Sequence, residues 1–208
     1  MKHLWVCLLF LSVNHSAGAQ NDFTGIAKYR ITVEGSNNPI TDSMSVIFSK
    51  QKVKVILYLP DLTSSGHVSE KVFIDDFSTK KSTALNTEDK TYKTDSLNIT
   101  PKYNFINTQK IVASSNNLLC FQYTVDPGNI DTSRILSADC FASIDYRNSF
   151  ISNYSFLGIQ PVIIDNRIVM DFNITQPDGV KQRIYISDIK KMDDVENYFN
   201  LTEYKEVK

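Results

Sequence analysis

Two cysteines, Cys120 and Cys140, are the residues of this chain best suited to covalent chemistry. A thiol can act as a nucleophile, as a metal ligand or as half of a disulfide bridge. A thiolate nucleophile normally needs a neighbouring base, and beyond the first nineteen residues the only histidine is His67. Two cysteines and one distant histidine match no zinc-binding spacing. The sequence therefore predicts no catalytic residue, no metal ligand and no cofactor.

The surroundings of the two cysteines predict that they face each other. Strand-like runs at 118–125 and 134–144 flank a turn region. A turn centred on Ile130 places Cys120 opposite Cys140, at a Cα separation of roughly 4.5–5.5 Å that a disulfide accepts. A disulfide is the favoured interpretation, and two free, half-buried thiols are the alternative. A register slip of one residue would put the sulfurs on opposite faces of the sheet.

Two acidic pairs, Asp75-Asp76 and Asp193-Asp194, suggest glycoside hydrolysis or cation binding. Adjacent residues on a strand point to opposite faces, however, so such a pair cannot act on one substrate. Solvated turn residues and helix caps are the simpler interpretation. The chain also lacks the Gly-x-Ser-x-Gly, His-Glu-x-x-His and Gly-rich phosphate-loop motifs. We therefore expect that the protein is not an enzyme, and a hydrolase is the least favoured function.

Most of the chain shows the alternation of apolar and polar residues that is typical of half-exposed β-strands. The alternation runs through 23–34 and again through 44–59, where Lys50-Gln51 forms a tight connection between two strands. No repeat or low-complexity tract interrupts it. The predicted fold class is mainly β, with a single curved antiparallel sheet and few short helices.

The last third of the chain predicts two further hairpins and one helical turn. Asp165-Asn166 lies between two apolar runs and tolerates the positive φ of a two-residue turn. Asp178-Gly179 forms a similar turn between the following runs. A helical turn is expected only near Phe199, with Asp193 or Asp194 as its cap.

The first nineteen residues have the form of a signal peptide. Lys2 supplies a positive charge, residues 4–13 form a short apolar run, and Ala17-Gly18-Ala19 suits signal peptidase. The apolar run is too short for a membrane anchor, which needs about 20 residues, and no later segment resembles one. We therefore expect residues 1–19 to be a signal peptide, residues 20–208 to form a single β-rich domain, and the protein to be exported to the periplasm or the extracellular space.

The charge balance argues against some partners. Removing Lys2 with the signal peptide lowers the count of Lys and Arg from 22 to 21, against 23 Asp and Glu. A slightly negative chain gives no electrostatic reason to bind nucleic acid or an anionic membrane. An apolar ligand or an envelope protein is the expected partner, and the protein is expected to be a monomer without a transmembrane segment.

Several short motifs resemble exported proteins of Bacteroidota in the DUF4412 and GLPGLI groups. The opening FTGIAKYRITVEG and the following MSVIFSKQKVKVILYLPD resemble the first strands of those proteins. The segment LLCFQYTV resembles their Cys-x-x-Tyr strand, and MDDVENYFNLTEYKEV resembles their ending. The chain departs from the pattern at Ile111-Val112-Ala113, which lacks the usual Gly-Tyr, and at Gln160, which interrupts Gly-Leu-Pro.

The resemblance implies a half-barrel sheet like that of the LolA-type lipoprotein carriers, whose concave face holds acyl chains. It implies no catalytic residues. The first functional hypothesis is thus a binding protein for a lipid or another apolar ligand, and the second is a structural or protein-interaction component of the envelope. Candidate lining residues for the ligand are Tyr29, Ile31, Val46, Phe48, Val55 and Leu57, although alternating apolar residues more often form a core.

Overall fold

The structure is a computed structural model that describes residues 22–34, 43–60, 68–98, 103–114, 116–129, 135–158 and 160–207. The predicted signal peptide and His67 lie outside these residues. Within them, the regular structure consists of β-strands and two short 3-10 turns, Pro127–Asn129 and Glu196–Phe199. The strands are β1 (Gly25–Glu34), β2 (Ser43–Phe48), β3 (Lys52–Pro60), β4 (Val68–Asp76), β5 (Lys81–Asn86), β6 (Thr91–Ser96), β7 (Phe105–Ala113), β8 (Leu119–Val125), β9 (Ser137–Arg147), β10 (Tyr154–Phe156), β11 (Gln160–Ile164), β12 (Arg167–Thr175), β13 (Lys181–Lys191) and β14 (Lys205–Glu206).

These strands form one sheet. Its main path has the order β14-β6-β5-β4-β3-β2-β1-β13-β12-β9-β8-β7, and β11 and β10 branch from β12. Neighbouring strands are antiparallel except for the short parallel pair of β14 and β6. The sheet is open and curved, which confirms the predicted fold class. No helix in the described part of the chain has the length and apolar character needed to cross a membrane.

The three predicted hairpins are present. Phe48 pairs with Val53 across the connection between β2 and β3. Asp165 and Asn166 adopt φ angles of 48° and 60° between β11 and β12, as a type I′ turn requires. Gly179 has a φ of 85° in the loop between β12 and β13. Local turn chemistry therefore determines these connections.

The predicted register around the two cysteines is wrong. Strands β8 and β9 do pair, but Cys120 lies opposite Ser143 and Cys140 lies opposite Tyr123. The pairing is centred between residues 131 and 132, not on Ile130, because the connection is longer on its C-terminal side. A shift by an odd number of residues puts the two side chains on opposite faces of the sheet. The expected disulfide is accordingly not formed, and both cysteines are free and buried.

One face of the sheet, which we call the inner face, carries Tyr29, Val46, Phe48 and Val55. These side chains belong to the larger cluster of buried apolar residues. The branch β10–β11 and the first half of β12 fold over this face, and the Tyr29 hydroxyl donates a 2.9 Å hydrogen bond to the Val169 carbonyl. The branch contributes Tyr154, Phe156, Val162, Ile163 and Ile164 to the cluster.

The opposite, outer face is covered by the C-terminal segment. Val195 and Phe199 pack there in a second, smaller cluster, together with Ile47, Val72, Ile74 and Leu85 of the sheet. The predicted helical turn is the 3-10 turn Glu196–Phe199, but the predicted cap is wrong, because the N-cap residue is Val195 and makes no side-chain capping bond. Asp194 lies one residue earlier, where its Oδ1 accepts a 3.2 Å hydrogen bond from the backbone N–H of Glu196. Strands β2–β4 thus have apolar contacts on both faces, whereas β5 contributes Leu85 to the outer cluster only.

Candidate functional site

The six side chains predicted to line a ligand site lie in or against the filled core. Their role as ligand lining stays a prediction, because the structure shows them in contact with other apolar side chains. Tyr29, Val46, Phe48 and Val55 are at most 1% exposed, and Ile31 and Leu57 are half-buried and pack against the same cluster. This part of the inner face is closed by the β10–β11 branch.

The inner face is open farther along, at strands β4, β5 and β6. Ala84 of β5 pairs with Phe73 of β4 and with Lys93 of β6, and both Ala84 and Lys93 are exposed. Between these strands and β10 lies a cleft of about 510 Å³. Its lining consists of Phe73, Asp75, Ser82, Asp95, Ser96, Leu97, Asn98, Tyr154, Ser155, Phe156, Leu157 and Gly158.

Strand alternation determines which residues of β4 reach this cleft. Phe73 and Asp75 line it, whereas Ile74 and Asp76 line a separate depression on the outer face. The pair Asp75-Asp76 is therefore split between the two faces, as the sequence predicts for neighbours on a strand. Only Asp75 can meet a ligand in the cleft.

Asp75 is the centre of a hydrogen-bond network at the bottom of the cleft. It is 6% exposed. Its Oδ1 accepts a hydrogen bond from Ser82 Oγ, and its Oδ2 accepts one from the Tyr154 hydroxyl, each at 2.5 Å. Burial, with the neighbouring Asp75 carboxylate as the second cause, raises the pKa of Tyr154 well above its ordinary value. Tyr154 therefore stays protonated at neutral pH and acts as a donor.

Aromatic rings form the wall beside this network. Phe73 and Phe156 meet edge to face, with 5.3 Å between ring centroids, and Phe77 meets Tyr154 in the same manner at 5.3 Å. Such pairs fix the orientation of both rings. The β10 strand is therefore attached to β4 by ring contacts as well as by the hydrogen bond to Asp75.

Leu157 lies at the rim of the cleft, in the turn that follows β10. Its φ is +52°, a left-handed conformation that is uncommon for a leucine, and its neighbour Gly158 has a φ of +72°. The side chain of Leu157 is 65% exposed. Strained backbone and an exposed apolar side chain at the mouth of a cleft are features that occur together at binding sites.

A second carboxylate lies in the same row as Asp75. In the pairing of β4, β5 and β6, Asp75 lies opposite Ser82, and Ser82 lies opposite Asp95. Two strand spacings separate the Cα atoms of the two aspartates by roughly 10 Å. Asp95 is exposed and forms an ion pair with Lys93 at 3.6 Å.

The sequence predicts that Asp75 is a solvated turn residue or a helix cap, and it gives no signal for Tyr154. The sequence signal for a buried Asp75 is the alternation of Phe73, Asp75 and Phe77, which places a carboxylate among apolar residues on one side of a strand. The contribution of Tyr154 depends on how the branch folds over the sheet, and that contact spans 79 positions of sequence.

The two cysteines do not belong to this cleft. Burial raises the pKa of the Cys120 thiol to about 11 and raises that of Cys140 well above its ordinary value. A protonated, buried thiol is a poor nucleophile. Within the described ranges, no three side chains among His, Cys, Asp and Glu are grouped closely enough to hold a metal ion.

No protein-family model and no curated protein matches the chain. Its resemblance to the DUF4412 and GLPGLI groups and its origin in Bacteroidota therefore stay predictions.

Solved structures show a likeness of fold. Two structures of PNGF-II, in space groups P21 and C2, superpose with TM-scores of 0.53 and 0.51. They are 14% and 12% identical in sequence and cover 89% and 88% of this chain, which spans only 31% of PNGF-II. A LolA superfamily protein from Nitrosomonas europaea is also similar, with a TM-score of 0.40 and 9% identity over 88% of this chain and 91% of its own.

Proposed function

We propose that this is an exported, non-enzymatic binding protein of the bacterial cell envelope, and that it holds a small apolar ligand in the cleft between β4–β6 and β10. The observation that carries the proposal is the 510 Å³ cleft itself, which lies beside a filled core and has aromatic walls. Ligand sites in proteins commonly have volumes of roughly 300–1,000 Å³, with mainly apolar walls and a few polar groups.

The site differs in position from the one that the sequence suggests. The inner face of β1–β3 belongs to the core, and β4–β6 supply the open surface, because the β10–β11 branch covers only part of the inner face. The apolar part of a ligand would contact Phe73, Phe156 and Leu157, while its polar part would lie near Asp75 and Ser82.

The geometry favours binding over catalysis. Tyr154 is held as a donor and both oxygens of Asp75 already accept hydrogen bonds, so neither group is poised to exchange a proton with a substrate. A hydrolase remains the least favoured function. It would need Asp75 and Asp95 to act together, and Asp75 is already held by hydrogen bonds from Ser82 and Tyr154.

The alternative is a structural or protein-interaction component of the envelope. Strand β7 ends the described sheet and pairs only with β8, and Ile106 and Ile111 on it are about half exposed. However, the pairing of β7 is interrupted between Asn107 and Ile111, and Gln109 has a φ of +62°. A bulge of this kind protects an edge against further strand pairing. The cleft is therefore the better candidate.

Binding of a neutral apolar dye, N-phenyl-1-naphthylamine, tests the proposal. We expect saturable fluorescence enhancement at a single site, and roughly fivefold weaker binding for Leu157→Ser, because about 1 kcal/mol of apolar contact is lost. Leu136→Ser is the matched control, since Leu136 is 61% exposed and lies outside the cleft. Absence of saturable binding, or equal weakening by both substitutions, would contradict the proposal.

Native mass spectrometry of the protein purified from its own periplasm complements the dye experiment. A released apolar compound at near one-to-one stoichiometry would identify the ligand directly. A bare chain mass together with no uptake of the dye would favour the protein-interaction alternative.

A further inference from the structure

We infer that the cleft selects ligands whose polar head is an ammonium group, primary or quaternary, attached to an apolar tail. This inference rests on the proposed function and names the class of ligand. It follows from three features of the cleft. The charged residues of its lining are all acidic, its buried carboxylate Asp75 has no ionic partner among the described residues, and aromatic side chains contribute to its walls.

The charged residues that line the cleft are all of one sign. Asp75 and Asp95 are carboxylates, and the remaining lining residues are neutral. Lys93 lies outside the lining and forms a surface pair with Asp95 at 3.6 Å, with both side chains more than half exposed. Such an exposed pair is weak and is screened by salt. A carboxylate or phosphate head would therefore meet only like charge.

Asp75 is a buried charge without an ionic partner. It is 6% exposed, and in the described part of the chain no Lys, Arg or His forms an ion pair with it. Buried charges in proteins are normally paired. Its two hydrogen bonds come from the hydroxyl groups of Ser82 and Tyr154, and each carboxylate oxygen can accept a second bond. An ammonium group in the cleft would supply the missing partner.

The walls of the cleft suit the same group. Three aromatic residues line the cleft with Asp75, and aromatic rings attract cations. Tyr154 and Phe156 are at most 5% exposed, so Phe73, which is half-buried, is the ring that a bound cation can best reach. Quaternary ammonium groups are commonly bound by aromatic side chains. An anionic head would be repelled by the carboxylates. The apolar tail would then extend past Leu157, the exposed leucine at the rim.

Isothermal titration calorimetry with three ligands of equal tail length tests this selection: decyltrimethylammonium, decanol and decanoate, each below its micelle concentration. We expect decyltrimethylammonium to bind roughly tenfold more tightly than decanol, and decanoate to bind more weakly than both. Equal affinities, or a preference for decanoate, would overturn the inference while leaving ligand binding in place. Failure of all three to bind would instead contradict the proposed function.

Two substitutions test which carboxylate causes the preference for decyltrimethylammonium. Asp75→Asn should remove most of the preference for decyltrimethylammonium, and Asp95→Asn should reduce it roughly twofold, because an exposed charge is screened. Asp95 is at the surface, so its replacement should not affect folding, and a thermal melt checks the Asp75 variant. Asp178→Asn is the control, because it removes the same charge from an exposed residue that does not line the cleft, in the loop between β12 and β13. An equal effect of Asp178→Asn and Asp95→Asn, with no effect of Asp75→Asn, would rule out local recognition.

Discussion

The Tyr154 hydroxyl donates a 2.5 Å hydrogen bond to Asp75 Oδ2, and this contact joins the branch strand β10 to β4 across the candidate cleft. The same carboxylate accepts a bond from Ser82 on β5. One buried carboxylate therefore links three strands and fixes the distance between the two walls of the cleft.

Replacing Tyr154 by Phe should destabilise the protein by about 1.5–3 kcal/mol. The substitution keeps the ring contacts with Phe77 but leaves one oxygen of a buried carboxylate without its donor. Urea denaturation measures the change in the free energy of unfolding. Tyr198→Phe is the matched control, because Tyr198 is 39% exposed, and it should change stability by less than about 0.5 kcal/mol. Equal effects of the two substitutions would show that the Asp75 contact adds nothing.

Replacing Leu157 by Asn should stabilise the protein and weaken ligand binding at the same time. Asn tolerates the left-handed conformation better than Leu does, so the φ of +52° predicts a gain of about 0.5–1 kcal/mol. The loss of the apolar side chain removes a contact with the tail of the ligand. Thermal melts and dye titrations measure the two effects.

Leu136→Asn provides the comparison for Leu157→Asn. Leu136 is similarly exposed, and its φ is not positive. We therefore expect no stabilisation and unchanged dye binding for this variant. A stabilisation of both variants would mean that exposed leucines in general, and not the backbone of the turn after β10, cause the gain.

The strands and hairpins were predictable from the sequence because their signals are local. The alternation of Tyr29, Ile31 and Val33 with polar residues, and the positive φ that Asp165 and Asn166 tolerate, each involve only neighbours in the chain. The register of Cys120 and Cys140 was not predictable in this way. It depends on the length of a connection whose residues carry no fixed turn signal, so an error of three residues was possible.

The cleft itself could be predicted only in part. The sequence predicts an apolar inner face, and the structure shows that the β10–β11 branch covers the part of it formed by β1–β3. Whether a buried apolar residue lines a pocket or a core depends on which distant segment covers it, as Val55 and Phe73 on neighbouring strands show. Alternation along a strand assigns a residue to a face, but it contains no information about what lies above that face.

Gly25→Ala should destabilise the protein by more than about 1 kcal/mol. A Cβ at this position would lie 2.1 Å from the carbonyl oxygen of Lys190, on the paired strand β13, so the backbone would have to shift. Gly128→Ala is the matched control, since the nearest atom to its Cβ, Asp126 Oδ1, would be 3.4 Å away. Urea denaturation of the two variants checks the difference, and similar stabilities would show that β1 can move away from β13 at little cost.

The cysteines should behave as two buried thiols. In the protein without residues 1–19, we expect no reaction of Cys120 and Cys140 with Ellman's reagent in the native state, because both are fully buried. Two thiols should react in denaturant without added reductant, and reductant should leave the melting temperature unchanged. If no thiol reacts in denaturant and reductant lowers the melting temperature, the disulfide predicted from the sequence would be supported instead.

Stability should fall at alkaline pH for the same reason that these thiols are unreactive. Burial raises the folded-state pKa of Cys120 to about 11, and it also raises the pKa values of Cys140 and Tyr154. In the unfolded chain a thiol ionises near pH 8.5 and a phenol near pH 10. Below pH 8 both states keep these protons, so their contribution to stability is fully present and constant.

Between the unfolded and folded pKa values, the unfolded chain has released protons that the folded protein retains. The free energy of unfolding must then decrease by up to about 1.4 kcal/mol per pH unit for each such group. Urea denaturation at pH 7, 8, 9 and 10 should show constant stability up to pH 8 and a decline above it. In the variant with both Cys120→Ala and Cys140→Ala, which is less stable overall, the decline should begin only near pH 10, where tyrosines ionise. An unchanged onset in that variant would show that the thiols do not cause the loss of stability between pH 8.5 and 10.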